Sequence, residues 1–139
     1  MKHLKILLVF LLFYLPVKIF SQSTPEQIME YFFTIYEEDT DKAIDYFFTT
    51  NTKIDTKLPG IQAIKDNLNA SRKLLGNYYG YDLATKYYAG EVYAKYCYTL
   101  KYDRQPVKMV VFFYKPDKIW KAQSMNFVED YESDFKVVE

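Results

Sequence analysis

YYGYDLATKYYAGEVYAKYCYTLKYDRQPVKMVVFFYKPDKIWKAQSMNFV, residues 78–128, decides the fold of this chain. Four runs of alternating apolar and polar residues, 78–88, 91–102, 107–114 and 119–128, are parted by Ala89-Gly90, Asp103-Arg104-Gln105-Pro106 and Lys115-Pro116-Asp117-Lys118. Alternation over such lengths marks half-buried strands, and Gly or Pro punctuates each junction. Connections this short join antiparallel neighbours, so the strands form a meander.

Turn length sets register, and register assigns faces. A two-residue first turn puts Leu83 opposite Tyr96 and Tyr81 opposite Tyr98, and four-residue later turns put Tyr98 opposite Val111 and Val111 opposite Ala122. One face then carries Tyr79, Tyr81, Leu83, Tyr96, Tyr98, Leu100, Met109, Val111, Phe113, Trp120 and Ala122, with Thr85, Ser124 and Asn126 as its polar members. No Asp, Glu, Lys or Arg falls there, so it reads as a core face. The opposite face carries Lys86, Tyr93, Cys97, Val110, Phe112, Met125 and Phe127 among several lysines.

Upstream the chain turns helical. Thr24 can cap a first helix, Pro25 suits its first position and Gln27 completes a capping box. Ile28, Tyr31, Phe32, Ile35 and Tyr36 follow at helical spacing, a wide apolar stripe that needs the sheet as partner. Asp39 or Thr40 can cap a short second helix bearing Ala43, Ile44, Phe47 and Phe48. Residues 51–60 read as a polar loop, and a third helix over 61–75 presents Ile61, Ile64, Leu68 and Leu75 before Gly76 stops it. The fold class is therefore α+β, three N-terminal helices packed on a curved four-stranded antiparallel meander.

The chain has 139 residues, a length suited to one domain. Residues 1–21 read as a secretory signal: Lys2, His3 and Lys5 precede an apolar run from Ile6 to Leu15, which is short for a membrane span, and Ser21 offers a cleavage point. An uncleaved anchor is the alternative. The domain then covers 22–130 and the acidic tail 131–139. Export to a periplasmic or extracellular setting is the expected localisation. With 18 basic and 18 acidic residues, three of the lysines in the leader, there is no basic excess to suit nucleic acid. Cys97 is the single Cys, so no intrachain disulfide can form. Stability must come from burial, and 15 Tyr, 11 Phe and one Trp provide it.

Leu75-Gly76 before an aromatic strand, Gly90 after it, alternating Tyr96, Tyr98 and Leu100, Phe112-Phe113-Tyr114-Lys115-Pro116, and Trp120 opening the last strand resemble small exported members of the nuclear transport factor 2-like superfamily. The resemblance covers residues 25–128. It implies a SnoaL-like, cystatin-like fold in which a curved sheet wraps a long helix around a conical cavity, with dimers through the sheet common. The short polar segment between the second and third helices departs from the larger members: the hairpin they carry there is reduced or missing in this chain.

Enzymes of that superfamily place an acid or a His inside the cavity, where general acid–base work needs a titratable group. The sole His of this chain is His3, in the leader, and Glu30, Glu37 and Asp45 fall off the apolar stripes. Cys97 lacks a His to activate it, and neither metal-ligand spacing nor a glycine-rich phosphate cradle occurs. The expectation is a non-catalytic binding domain without cofactor. Tyr31, Phe32, Ile35, Tyr79, Tyr81, Tyr96, Tyr98, Trp120, Ser124 and Asn126 would line a pocket for a small apolar ligand, or would simply fill that space. Tyr93, Cys97, Val110, Phe112, Met125 and Phe127 would form an association face, for a twin chain or another partner, unless the tail covers it. The runner-up is a small lyase or isomerase using a cavity Tyr hydroxyl.

Overall fold

In a computed structural model, which describes residues 23–128 together with Tyr131 and Phe135, three helices precede a four-stranded sheet. The helices are α1 (Pro25–Glu38), α2 (Thr40–Thr49) and α3 (Pro59–Leu75). The strands are β1 (Tyr78–Ala89), β2 (Tyr93–Tyr102), β3 (Val107–Tyr114) and β4 (Lys121–Val128), in the order β1-β2-β3-β4 with every pair antiparallel. This is the α+β meander expected from the alternation. The leader over 1–21 lies outside the described residues, as does most of the tail.

Local chemistry explains the helix limits. The Thr24 hydroxyl accepts from the Gln27 N–H at 3.3 Å while the Gln27 side chain accepts from the Thr24 N–H at 3.0 Å, closing the capping box. Asp39 ends α1 and caps α2 through the Lys42 N–H at 3.0 Å. Helix α3 starts two residues before the expected position because Pro59 is suited to a first turn. It ends at Gly76, whose φ of 84° is costly for any residue with a Cβ.

The helices press one face of the sheet into the core. Phe32, Tyr36, Phe47, Tyr96, Leu100, Met109, Val111 and Phe113 are completely buried. Ring contacts knit the layers: Phe33 stacks on Tyr81 at 3.7 Å, and Phe47 meets Phe113 edge-on at 5.7 Å. Each such ring buries roughly 150–250 Å², worth about 4–6 kcal/mol as an upper bound. Helix α3 docks on α2 through polar groups instead. Lys65 pairs with Asp45 at 2.6 Å, Asn69 donates to Asp41 at 2.7 Å, and Arg72 donates to Thr40 at 2.6 Å.

The registers differ from those expected through turn length and through three register shifts, at Tyr78/Tyr81, Leu83/Thr85 and Phe112/Phe113. The first turn spans three residues, with Ala89 paired to Tyr93, and a register shift between Leu83 and Thr85 then leaves Leu83 opposite Tyr98 and Tyr81 opposite Leu100. Lys86, expected outside, therefore stands opposite Tyr96 on the helix-facing side. Between β2 and β3 the pairing moves by two residues, Tyr98 meeting Met109, which leaves the faces intact. In β4 a bulge at Gln123 inverts everything after it. Ala122 faces Phe113 as a core residue, but Met125 meets Val111 and Phe127 meets Met109, so both point inward. Ser124 and Asn126, expected inside, oppose Phe112 and Val110 on the outer face. Such insertions leave one residue unpaired and rotate the strand beyond it.

Candidate functional site

The expected cavity between α1 and the sheet is occupied by protein. Phe32, Tyr96 and Tyr98 are buried and Ile35 and Tyr81 pack against the core as anticipated, but their side chains fill the space. Tyr79 instead is 61% exposed, its hydroxyl donating to Asp103 at 2.6 Å, because the register shift between Tyr78 and Tyr81 turns it outward. Tyr31 is 55% exposed, edge-on to Tyr46 on the far side of α1. Trp120 precedes β4 and is half-buried, with Tyr88 at its edge and the Lys115 ammonium 5.0 Å above its ring.

A cluster of polar groups closes one end of this core. Glu26, in the first turn of α1, accepts from the Tyr96 hydroxyl at 2.6 Å and from the Lys86 ammonium at 3.0 Å. Tyr88 and Tyr96 share a 2.5 Å hydrogen bond. Since the Tyr96 proton is committed to the carboxylate, Tyr88 is the donor in that bond. Burial pushes the Glu26 carboxyl up, but hydrogen bonds from Tyr96 and Lys86, with the Lys86 charge, hold it below its ordinary value. Burial, then the Glu26 carboxylate, push the Tyr96 phenol well above its ordinary value. All protons run inward, so neither phenol keeps one to offer a substrate, and the carboxylate is a weak base. Glu26, Lys86 and Tyr88 were missed by the alternation argument. Glu26 did carry a signal, standing three residues before Met29 and seven before Phe33, both buried.

A second cluster joins α1, α3 and the strand ends. Tyr36 and Tyr102 share a short hydroxyl–hydroxyl hydrogen bond, while the Arg72 guanidinium lies 4.8 Å above the Tyr36 ring and donates to the Tyr36 carbonyl at 2.9 Å. Among the described residues the buried Tyr78 hydroxyl has no hydrogen-bond partner. Burial raises the phenols of Tyr36, Tyr78 and Tyr102 above their ordinary value. Tyr36 and Tyr102 are buried, and the Tyr78 hydroxyl beside them is closed off from solvent.

The open concavity lies elsewhere, between α3 and the β3–β4 end of the sheet, with a volume of about 490 Å³. Leu68, Leu75 and Met125 are buried at its floor, and half-buried Ile64, Val107 and Phe127 extend that apolar surface. Its margin mixes polar Asn67, Ser71, Arg104, Gln105 and Asn126 with exposed Leu74 and Val128. Asn126 thus reaches a concavity after all, though from the outer rim. A second depression of about 570 Å³, beside Phe48, Ile54 and Leu58, is wider and shallower and among the described residues is lined by no charged group.

The β2–β3 hairpin is stapled to the end of α3 and so forms one wall of the first groove. The Arg104 N–H donates to the Leu75 carbonyl at 3.0 Å, and the Asp103 N–H donates to the Asn77 carbonyl at 3.1 Å. The Asp103 carboxylate accepts from the Asn77 N–H at 2.6 Å, and the Tyr79 hydroxyl then the Asn77 N–H hold it below the usual carboxylate range.

On the outer face Tyr93, Cys97, Val110 and Phe112 stand together as expected, without Met125 and Phe127. Tyr93 stacks on Phe112 at 5.8 Å, and Cys97 is buried opposite Thr85 and Val110. Tyr131 of the tail lies beneath the Lys108 ammonium, 5.8 Å from ring to nitrogen. Among the described residues no group of His, Cys, Asp and Glu is placed to hold a metal ion, and no helix is long and apolar enough to cross a membrane. Compared with known proteins, the chain matches no family model, no curated protein and no solved structure.

Proposed function

We propose that this is an exported, non-catalytic binding domain that takes a small, largely apolar ligand in the groove between α3 and the β3–β4 end of the sheet. The observation that carries the reading is the groove itself, about 490 Å³ with an apolar floor and a largely polar margin. Ligand sites commonly span about 300–1,000 Å³ with that distribution of polarity. The inward commitment of the Tyr88 and Tyr96 protons speaks against the lyase or isomerase alternative. Membership of the nuclear transport factor 2-like superfamily is part of the proposal and rests on the helices-then-meander order and the residues that resemble it.

The test is a titration of the full chain with Nile red, a neutral apolar dye, against the Ser71→Trp variant. Ser71 is an exposed helix residue on the groove margin, so an indole there fills the groove without touching the core. Saturable binding that the substitution abolishes is expected; binding indifferent to it refutes the groove. A second reading, pairing of two chains through the outer face, is favoured by the Tyr93–Phe112 stack and half-buried Val110. Sedimentation of the Phe112→Asp variant tests it, an unchanged monomer at high concentration removing the idea.

A further inference from the structure

The groove has a charge asymmetry that narrows its occupant. Arg104 is the one charged residue lining it among the described residues, and neither Asp nor Glu does so. Among the described residues the Arg104 side chain is exposed and makes no ion pair, hydrogen bond or ring contact. The neighbouring acid, Asp103, is turned toward the Asn77 N–H and the Tyr79 hydroxyl instead, and forms no ion pair with Arg104 among the described residues. Arg72, the other guanidinium on this side, is committed to Tyr36 and Thr40. The terminal carbonyl of α3 at Leu75 is satisfied by the Arg104 N–H, so it does not confront the groove as an unpaired negative dipole. A guanidinium whose backbone is fixed beside an apolar trough is suited to a planar, doubly accepting anion attached to an apolar body.

We infer that the occupant is an amphiphile with a carboxylate head, its alkyl or aryl body lying along Leu68, Leu75, Met125 and Phe127 and its head held by Arg104 at the mouth. The side chains of Asn67, Ser71 and Gln105 make no hydrogen bond within the described residues and stand on the same margin, ready to donate to the second carboxylate oxygen directly or through water. This inference rests on the proposed groove and names the chemistry that fills it. Salt weakens the attachment without abolishing it, because the exposed head is screened while the buried body is not.

The experiment compares dansylaminoundecanoic acid with its methyl ester on the full chain, on Arg104→Gln and on Ser71→Trp. Expected is a preference of about tenfold for the acid, a difference of about 1.4 kcal/mol. Arg104→Gln is expected to remove that preference while leaving ester affinity unchanged. Ser71→Trp is expected to abolish both. Equal binding of acid and ester to the unaltered chain, with Ser71→Trp still blocking both, overturns the carboxylate head and leaves the groove standing. Failure of both probes to bind, or binding indifferent to Ser71→Trp, overturns the groove and this inference with it.

Discussion

Replacing Gly76 with Ala tests how α3 is joined to the hairpin wall. Gly76 has φ 84° and ψ −148°, a combination reached almost solely by glycine. An added Cβ would also stand 2.6 Å from the Asp103 Oδ2 and 2.9 Å from the Asp103 Cβ, closer than such atoms pack. Asp103 can swing away only by releasing the Asn77 N–H and the Tyr79 hydroxyl. The backbone strain alone costs about 1–3 kcal/mol. At about 4–8 °C per kcal/mol for a domain near this size, Tm should fall by about 10 °C or more. Thermal denaturation by circular dichroism of Gly76→Ala, Asp103→Ala and the double variant separates the two contributions. The double variant should lose less than the sum of the singles, since removing the carboxylate removes the collision. A Gly76→Ala chain within about 0.5 kcal/mol of the parent, or strict additivity, would refute the reasoning.

Three other outcomes are expected. Phe32→Ala empties the centre of the core, where Phe32 is fully buried against Phe33, Tyr36 and Phe47, and should cost about 3–5 kcal/mol in urea denaturation. Glu26, held below its ordinary value of 4.5, contributes stability that is present above that pH and lost as pH falls through the lower folded value. Glu26→Gln should therefore narrow the gap to the parent as denaturation is repeated at falling pH below 4.5; a constant gap would contradict the ion pair. Burial raises the phenols of Tyr36, Tyr96 and Tyr98 above 10.0, so stability is full below that pH and lost as pH rises beyond it. Phenolate absorbance from these buried tyrosines should then appear together with loss of the fold, followed by circular dichroism across the same pH range; phenolate formation with the fold intact would contradict it.

Much of the architecture was legible because it rests on short-range chemistry. Thr24, Gln27, Asp39 and Gly76 mark helix ends by what their side chains or backbones can do, and Pro106 and Pro116 mark turns. The third strand falls at the expected Val107–Tyr114. Which way side chains point beyond a bulge was not legible. Neither Ala84 nor Gln123 carries a residue type that announces an unpaired position, yet each displaces the ladder around it. Hence Met125 and Phe127 were assigned to the wrong face, and Ser124 and Asn126 with them. The groove was missed for a related reason: it depends on how far α3 stands off the sheet, which side-chain volumes across three elements determine and no single stretch encodes. Arg104 was visible only as a turn residue, and its exposed place on the groove margin follows from the pairing of the hairpin with the end of α3.

The bulge in β4 holds one residue outside the ladder. Delete Gln123 and the ladder to β3 runs without interruption, with Ser124 still opposite Phe112 and Met125 still opposite Val111, so Met125 and Phe127 keep their places in the oil. A loss of one codon there would thus be milder than the same loss at a paired position of the strand, because the chain gives up an unpaired residue and no side chain changes sides.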